Sequence, residues 1–132
     1  MQVKYSPSPR QQRINYVNAM INIIGYYTGI FFHGLNVGYF VIDNKSIYYI
    51  DARTCEKINM SHKNNGWLNF SGNENQKELL KSFKEFIMKR IPVSIKVLTP
   101  ALGNITTKNL NIIIREGIYF KILEGENDYN AH

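Results

Sequence analysis

Three residues of types that act together in catalysis lie on one stretch of this chain, between Ile30 and Asn59. They are His33, Asp51 and Cys55, the last being the only cysteine. A thiolate attacks carbonyl carbons, an imidazole accepts the thiol proton, and a carboxylate orients the imidazole. These three residues therefore form the candidate catalytic set of the sequence.

The segments His33-Gly34-Leu35-Asn36-Val37 and Ile47-Tyr48-Tyr49-Ile50-Asp51 resemble the histidine and aspartate strands of papain-like and transglutaminase-like catalytic domains. The resemblance implies a hydrolase or transferase that uses His33 with Asp51 or Cys55. In those domains the nucleophilic cysteine stands at a helix N-terminus, where its pKa is lowered. Here no cysteine precedes His33.

The same hairpin also resembles parts of two nuclease families. Ile47 to Arg53 is similar to the acidic strand of restriction-endonuclease-like enzymes, with Arg53 where lysine is expected. Gly38-Tyr39-Phe40 and Tyr49-Ile50-Asp51 are similar to the paired motifs of GIY-YIG nucleases, with Asp51 in place of a glycine. Both resemblances imply phosphodiester chemistry, which suits a basic chain.

Strand register argues against a catalytic set. If Asn44 and Lys45 form the turn of a hairpin, Gly38 lies opposite Asp51, and His33 reaches Asp51 only through a bulge. Cys55 would need a slip of one residue to reach His33. We therefore favour a structural interpretation, in which the histidine lies at the edge of the core and the cysteine is small and buried.

Motifs for metals and phosphate-bearing cofactors are missing. The sequence has no His-x-x-x-His or Cys-x-x-Cys spacing, and none of its glycines precedes the Lys-Ser/Thr of a phosphate-binding loop. We predict neither a metal nor a cofactor.

Basic residues supply a second candidate site, on the surface. They are Lys77, Lys81, Lys84, Lys89 and Arg90 on a predicted second helix, with Arg10 and Arg13 at the start of the first. Such a patch attracts phosphates, and neighbouring tyrosines can stack on bases. In the alternative interpretation, Glu74, Glu78 and Glu85 pair with the lysines, and the helix is merely solvated.

The charge distribution leads to the main functional hypothesis. The net charge is +6, residues 1–42 contain no acid, and four of the five charged residues in 116–132 are acidic. We expect a non-enzymatic protein that binds nucleic acid or an acidic protein surface. The alternatives are the hydrolase or transferase above, and an immunity or inhibitor protein from an AT-rich mobile element.

Length and composition set the class. The chain has 132 residues, 44% of them hydrophobic and 20% charged, as expected for a single globular domain. Its most apolar window, residues 20–42, is interrupted by Asn22, His33 and Asn36, which argues against a membrane span. The first residues do not resemble a secretory signal, and the lone cysteine suits a reducing compartment, so we expect a cytoplasmic protein.

The elements that would position these residues form an α+β domain, two helices packed on a largely antiparallel sheet, in the order α-β-β-β-β-α-β-β-β. A cap at Ser8 and Pro9 starts the first helix, which ends near Gly25 or Gly29. A second helix starts with a capping box at Asn75 and Glu78 and stops before Pro92. The strands are predicted at 30–42, 47–50, 55–60, 67–70, 93–99, 110–115 and 118–123, with a fraying acidic tail at 125–132.

Overall fold

The structure, a computed structural model, describes residues 7–60 and 65–124. In chain order its elements are α1 (Pro9–Thr28), β1 (Phe32–His33), β2 (Asn36–Val37), β3 (Tyr39–Asp43), β4 (Ser46–Ile50), β5 (Lys57–Asn59), a 3-10 helix (Asn65–Asn69), α2 (Glu74–Lys89), α3 (Ile95–Ala101) and α4 (Thr107–Tyr119). The strands form antiparallel sheets of two and three strands, so the α+β class is confirmed. The tail predicted at 125–132 lies outside the described residues.

Helix α1 begins and ends where local signals predict. The Ser8 hydroxyl oxygen accepts a hydrogen bond from the Gln11 amide, and Pro9 occupies the first turn. The helix ends at Gly29, whose φ of 78° lies in the left-handed region that glycine adopts without strain. Its apolar side is buried, through Ile14, Val17, Met20, Ile21 and Ile24. Among the described residues, no helix combines the length and the apolar character needed to cross a membrane.

The turn predicted at residues 43–46 is present. Asn44 and Lys45 have φ values of 49° and 69°, and a type I′ turn requires positive φ at both central positions. Strands β3 and β4 therefore pair with Tyr39 opposite Ile50, and β5 pairs with the other edge of β4. The short β1–β2 hairpin forms a separate sheet.

An asparagine from α1 covers the free edge of the three-stranded sheet, at β3. The Asn18 amide nitrogen donates to the Phe40 carbonyl oxygen at 3.0 Å, and the Asn18 side-chain oxygen accepts from the Phe40 amide at 2.7 Å. The side chain thus satisfies both backbone groups of an edge residue, as a neighbouring strand would. Asn18 thereby joins α1 to β3.

The strand predicted at 67–70 is wrong, and so is the type I′ turn that the pair Asn65-Gly66 indicates by its sequence. Both turn residues belong to the 3-10 helix. In such a helix residues three apart lie on the same side, so Trp67 and Phe70 pack together against the core, with ring centroids 5.4 Å apart. On a strand they would point to opposite faces.

The three strands predicted between residues 93 and 123 are also wrong. The Thr106 hydroxyl oxygen accepts from the Asn109 amide and starts α4, which buries Ile113, Ile114 and Gly117 along one side. That spacing of three and four residues lets one helical face enter the core, and this burial outweighs the strand preference of isoleucine. Residues 95–101 form α3, and Val93 contributes a single bridge, to Leu123.

Helix α2 starts earlier than predicted. Its capping box joins Asn73 and Gln76, two residues before the predicted pair. The helix ends at Lys89, and Arg90 follows with a left-handed φ of 61°. The apolar face of the helix is buried, through Leu79, Leu80, Phe83, Phe86 and Ile87. Ile91 is 49% exposed because it lies beyond the helix end.

Candidate functional site

Two regions at opposite ends of the α1–α2 pair contain groups suited to binding. At one end, where α1 begins and α2 finishes, the Arg13 Nε atom donates to the Ile87 carbonyl oxygen at 2.8 Å. At the other end, a cavity lies between Thr28 at the end of α1 and Gln76 in the first turn of α2. The two helices are therefore antiparallel, and at 1.5 Å per residue the regions are about 22 Å apart.

Arg10, Arg13 and Arg90 form what we call the arginine cluster. Burial lowers the pKa of Arg13, and the positive charges of Arg90 and then Arg10 lower it further, because like charges disfavour the protonated form. Among the described residues, no carboxylate pairs with any of the three. The cluster is thus a local excess of positive charge, made by two elements that are far apart in sequence.

Exposed and stacked rings border the arginine cluster. One turn along α1 from Arg13, the Tyr16 ring stacks on Phe120 at 5.6 Å, with an interplanar angle of 27°. Tyr119, the neighbour of Phe120 at the end of α4, is 76% exposed. The exposed Lys121 follows, so this end of the molecule combines cations with aromatic rings.

The predicted lysines of α2 differ from one another in their surroundings, and two of them, unlike the arginines, lie near a carboxylate. Lys81 lies 3.4 Å from Glu78, and Lys89 lies 3.7 Å from Glu85, each on the helix surface. Lys77 lies over the Trp67 ring at 5.6 Å. Such pairs contribute little to stability, but they offset charge locally. Lys84 is half-buried and forms no ion pair within the described part of the chain.

Asp51 is buried, with 1% of its surface exposed, and its carboxylate is fully hydrogen-bonded. The amides of Arg53, Thr54 and Ser71 donate to it at 2.8 to 3.0 Å, and so does the Ser71 hydroxyl. Burial alone would raise the pKa of this carboxyl group, but the hydrogen bonds from Ser71, Thr54 and Arg53 hold it below its ordinary value. Asp51 thereby ties the end of β4 to the segment that precedes α2.

His33 and Cys55 do not join Asp51 in one site. His33 is exposed on the β1–β2 hairpin, which interrupts the strand that the sequence predicted to be continuous. The Cys55 amide donates to the Asp51 carbonyl oxygen at 2.9 Å, but its side chain is exposed, which corrects the predicted buried thiol. Neither residue lines the cavity that Asp51 borders.

That cavity, which we call the aromatic cavity, has a volume of about 240 Å³. It is bordered by Thr28, Gly29, Ile30, Phe31, Phe32, Tyr49, Asp51, Ala52, Arg53, Phe70, Ser71, Gly72 and Gln76. The Tyr49 ring packs edge-to-face against Phe31 and against Phe70, with the ring centroids 6.3 Å apart and the ring planes at 70° in each pair. Burial raises the pKa of Tyr49, and the negative charge of Asp51 raises it further, so the phenol stays protonated.

Sequence reasoning missed this cavity, although three glycines mark it. A β-carbon at Gly25 would collide with the Phe32 ring, one at Gly38 with the Tyr49 hydroxyl, and one at Gly72 with Gln76 and Phe70. Each glycine therefore makes room for a side chain that borders the cavity. Gly38, which lies inside the predicted strand 30–42 where no turn requires a glycine, was the available signal.

Metal ligands do not converge within residues 7–60 and 65–124, where no group of three or more His, Cys, Asp or Glu side chains is arranged to hold an ion. Comparison of the chain with protein-family models, with curated proteins and with solved structures found no match. Any functional argument therefore depends on the two regions described above.

Proposed function

We propose that this protein binds a single-stranded nucleic acid through the arginine cluster and has no catalytic activity. The observation that carries the proposal is the meeting of Arg10, Arg13 and Arg90 without a carboxylate partner among the described residues. Arginines placed together at a cost in mutual repulsion favour an anionic ligand, since its charge removes that repulsion. The guanidinium group also matches phosphate oxygens in a two-pronged geometry.

The neighbouring rings favour nucleic acid over an acidic protein surface. Single strands bind where a basic groove follows the backbone and aromatic side chains stack on bases. Tyr119 is exposed beside the Tyr16–Phe120 stack, in the same region as Arg13. An acidic protein would use the arginines but would have no need for an exposed ring there.

A reducing, cytoplasmic setting is part of this proposal. Cys55 is the only cysteine, and its side chain is exposed. A thiol so placed has no partner within the chain and would be open to oxidation in an extracellular compartment. The competing hypothesis of a hydrolase or transferase stays a prediction, and no contact between His33 and Asp51 or Cys55 favours it.

The proposal is tested by fluorescence anisotropy with a labelled single-stranded oligonucleotide at increasing salt. Three phosphate contacts predict a slope of about −2 for the logarithm of the association constant against that of salt concentration. Affinity should then fall about 15- to 20-fold between 50 and 200 mM salt. A variant with Arg10→Gln and Arg90→Gln should lower the slope to about −0.7, because only one contact remains. Arg13 is kept because it bonds to α2.

Arg53→Gln is the matched control, since it removes the same charge near the other end of α1 and should leave the slope unchanged. Tyr119→Ala should weaken binding of the oligonucleotide but not of polyglutamate. Binding that is insensitive to salt, or equal in the wild type and the double variant, would refute the proposal. Polyglutamate binding as tightly as the oligonucleotide would favour an acidic protein partner, including an inhibitor's target.

A further inference from the structure

The positive charge of the arginine cluster is confined to a short part of each helix. Beyond Arg13, the sequence of α1 contains no charged residue as far as its end at Thr28. On α2 the neighbour of Arg90 is Lys89, which lies 3.7 Å from Glu85. A groove that follows many nucleotides of a strand needs a longer row of cations. The cluster is therefore suited to one anionic group of high charge.

The three guanidinium groups lie around the end of α2. The Nε atom of Arg13 donates to the Ile87 carbonyl oxygen at 2.8 Å, so its two terminal nitrogens remain as a pair of donors. Burial lowers the pKa of Arg13, and the charges of Arg90 and Arg10 lower it further, so both lie close to it. Within the described part of the chain, neither of these two side chains forms a hydrogen bond or an ion pair. All three groups can therefore donate to one ligand.

The backbone at Arg90 is in a conformation that suits glycine. Its φ of 61° lies in the left-handed region, and the residue after a helix is commonly glycine for that reason. An arginine there destabilises the fold relative to glycine, and such conformations tend to occur at functional sites. The position of this side chain thus indicates a role in binding rather than in stability.

The start of α1 contributes positive potential at the same place. The N-terminal end of a helix carries a partial positive charge, which acidic residues in the first turn commonly offset. The first turn of α1 contains no acidic residue and contains Arg10 instead. The helix and the guanidinium groups therefore favour an anion together.

The phosphate at the end of a strand matches this arrangement better than the phosphates inside it. A phosphodiester carries one negative charge and has two free oxygens. A terminal phosphate monoester carries a charge of about −1.5 to −2 at neutral pH and has three acceptor oxygens. Internal phosphates are also spread along the strand, so the arginines would have to diverge to reach several of them.

We infer that the arginine cluster binds the terminal phosphate monoester of a single strand, with the guanidinium groups of Arg10, Arg13 and Arg90 donating to its oxygens. The inference rests on the proposed function and narrows it, since a strand end is then preferred over the interior of a strand. A strand without a terminal phosphate still binds through internal phosphates, so the salt dependence described above applies to it unchanged.

The test is fluorescence anisotropy with three single strands of one sequence, each labelled at an internal base. One strand has a 5′-phosphate, one has a 3′-phosphate, and one has hydroxyl groups at both ends. At about 100 mM salt, a phosphorylated strand should bind about tenfold tighter than the strand with two hydroxyl ends. The phosphorylated strand that does so identifies which end the cluster recognises.

Two variants of Arg90 locate the effect. Arg90→Gly should reduce the preference to about twofold, because one guanidinium group is lost. It should also raise the melting temperature, since glycine adopts a φ of 61° without strain, so weaker binding cannot come from unfolding. Arg90→Lys keeps the charge but loses the two-pronged geometry, and its preference should be about fourfold. Arg53→Gln, near the other end of α1, is the control and should keep the full preference.

The outcomes separate this inference from the proposed function. Equal binding of all three strands, with a salt slope of about −2, would overturn the inference and leave the proposed function in place. If no strand binds, both are wrong. A preference for the phosphorylated strand that survives in Arg90→Gly would also overturn the inference, because the terminal phosphate would then be recognised elsewhere.

Discussion

Asp51 is the residue of the candidate catalytic set whose structural role is best defined. Its carboxylate accepts hydrogen bonds from three backbone amides and one hydroxyl, so it joins two segments twenty residues apart in sequence. A catalytic carboxylate would instead leave an oxygen free for an imidazole. The sequence singled out Asp51 as a member of a candidate catalytic set while favouring a structural interpretation of that set, because a carboxylate at a strand end serves either purpose.

The hydrogen bonds to Asp51 predict a pH-dependent contribution to stability. Because its pKa is lower in the folded chain than in the unfolded one, the carboxylate stabilises the fold above its ordinary pKa of about 3.9. This contribution is lost as the pH falls through the lower, folded-state pKa. Asp51→Asn should reduce the free energy of unfolding by about 1–3 kcal/mol at pH 7, because the amide presents donors to donors.

Urea unfolding of both proteins from pH 7 to pH 2 measures this effect. The difference in free energy of unfolding between wild type and variant should become smaller toward pH 2, where the wild-type carboxylate becomes protonated. Asp43→Asn is the matched control, since that carboxylate is exposed and pairs with Lys57 on the surface. A difference in free energy of unfolding that stays constant across the pH range would contradict the role given to Asp51.

The secondary structure of α4 is decided by packing, because its own residues are compatible with either a helix or two strands. The run from Leu110 to Leu123 is rich in isoleucine and contains Gly117, which suggests two strands and a turn. In the structure Gly117 lies within the helix, against the side chains of Leu123 and Met20. At position 117, helix propensity therefore favours alanine over glycine, whereas packing favours glycine.

The conflict predicts that Gly117→Ala destabilises the protein. Alanine gains about 1 kcal/mol in helix propensity, but its methyl group must displace Leu123 in a filled core, which costs about 1–3 kcal/mol. We expect a net loss of up to about 2 kcal/mol in the free energy of unfolding, measured by thermal or urea unfolding. Asn111→Ala, at an exposed position of the same helix, should be neutral or slightly stabilising. A stabilised Gly117→Ala variant would show that α4 packs more loosely than described.

At the scale of the whole molecule, the antiparallel α1–α2 pair separates two electrostatic regions. The arginine cluster lies where α1 begins, and the buried Asp51 borders the aromatic cavity where α1 ends. Neither region is complete on one element, since each takes side chains from segments that only the fold brings together. Because the two regions lie at opposite ends of α1, a variant in one serves as a control for the other.

Repulsion within the arginine cluster predicts a stability cost that depends on salt. Arg90→Gln removes one of the two charges that lower the pKa of Arg13, so it should stabilise the protein by a few tenths of a kcal/mol at low ionic strength. The gain should shrink toward 0.5 M salt, where screening weakens surface charges. Urea unfolding at two salt concentrations measures it. Arg115→Gln, on the exposed side of α4, is the control. A gain that does not change with salt would point to the backbone of residue 90 instead.

The sequence alone determined the elements whose signals are local. The Ser8 cap, Pro9 and Gly29 bound α1, and Asn44-Lys45 set the β3–β4 turn, because each of these features acts within a few residues. The class of fold followed from the order of these elements.

Only the tertiary structure decided the rest. Residues 107–119 became helical because one helical face could be buried, and the aromatic cavity arose where Phe31, Tyr49 and Phe70 meet. Arg13 and Arg90 came together because α1 packs antiparallel to α2. Contacts between segments so far apart depend on how whole faces pack, and no short stretch of sequence contains that information.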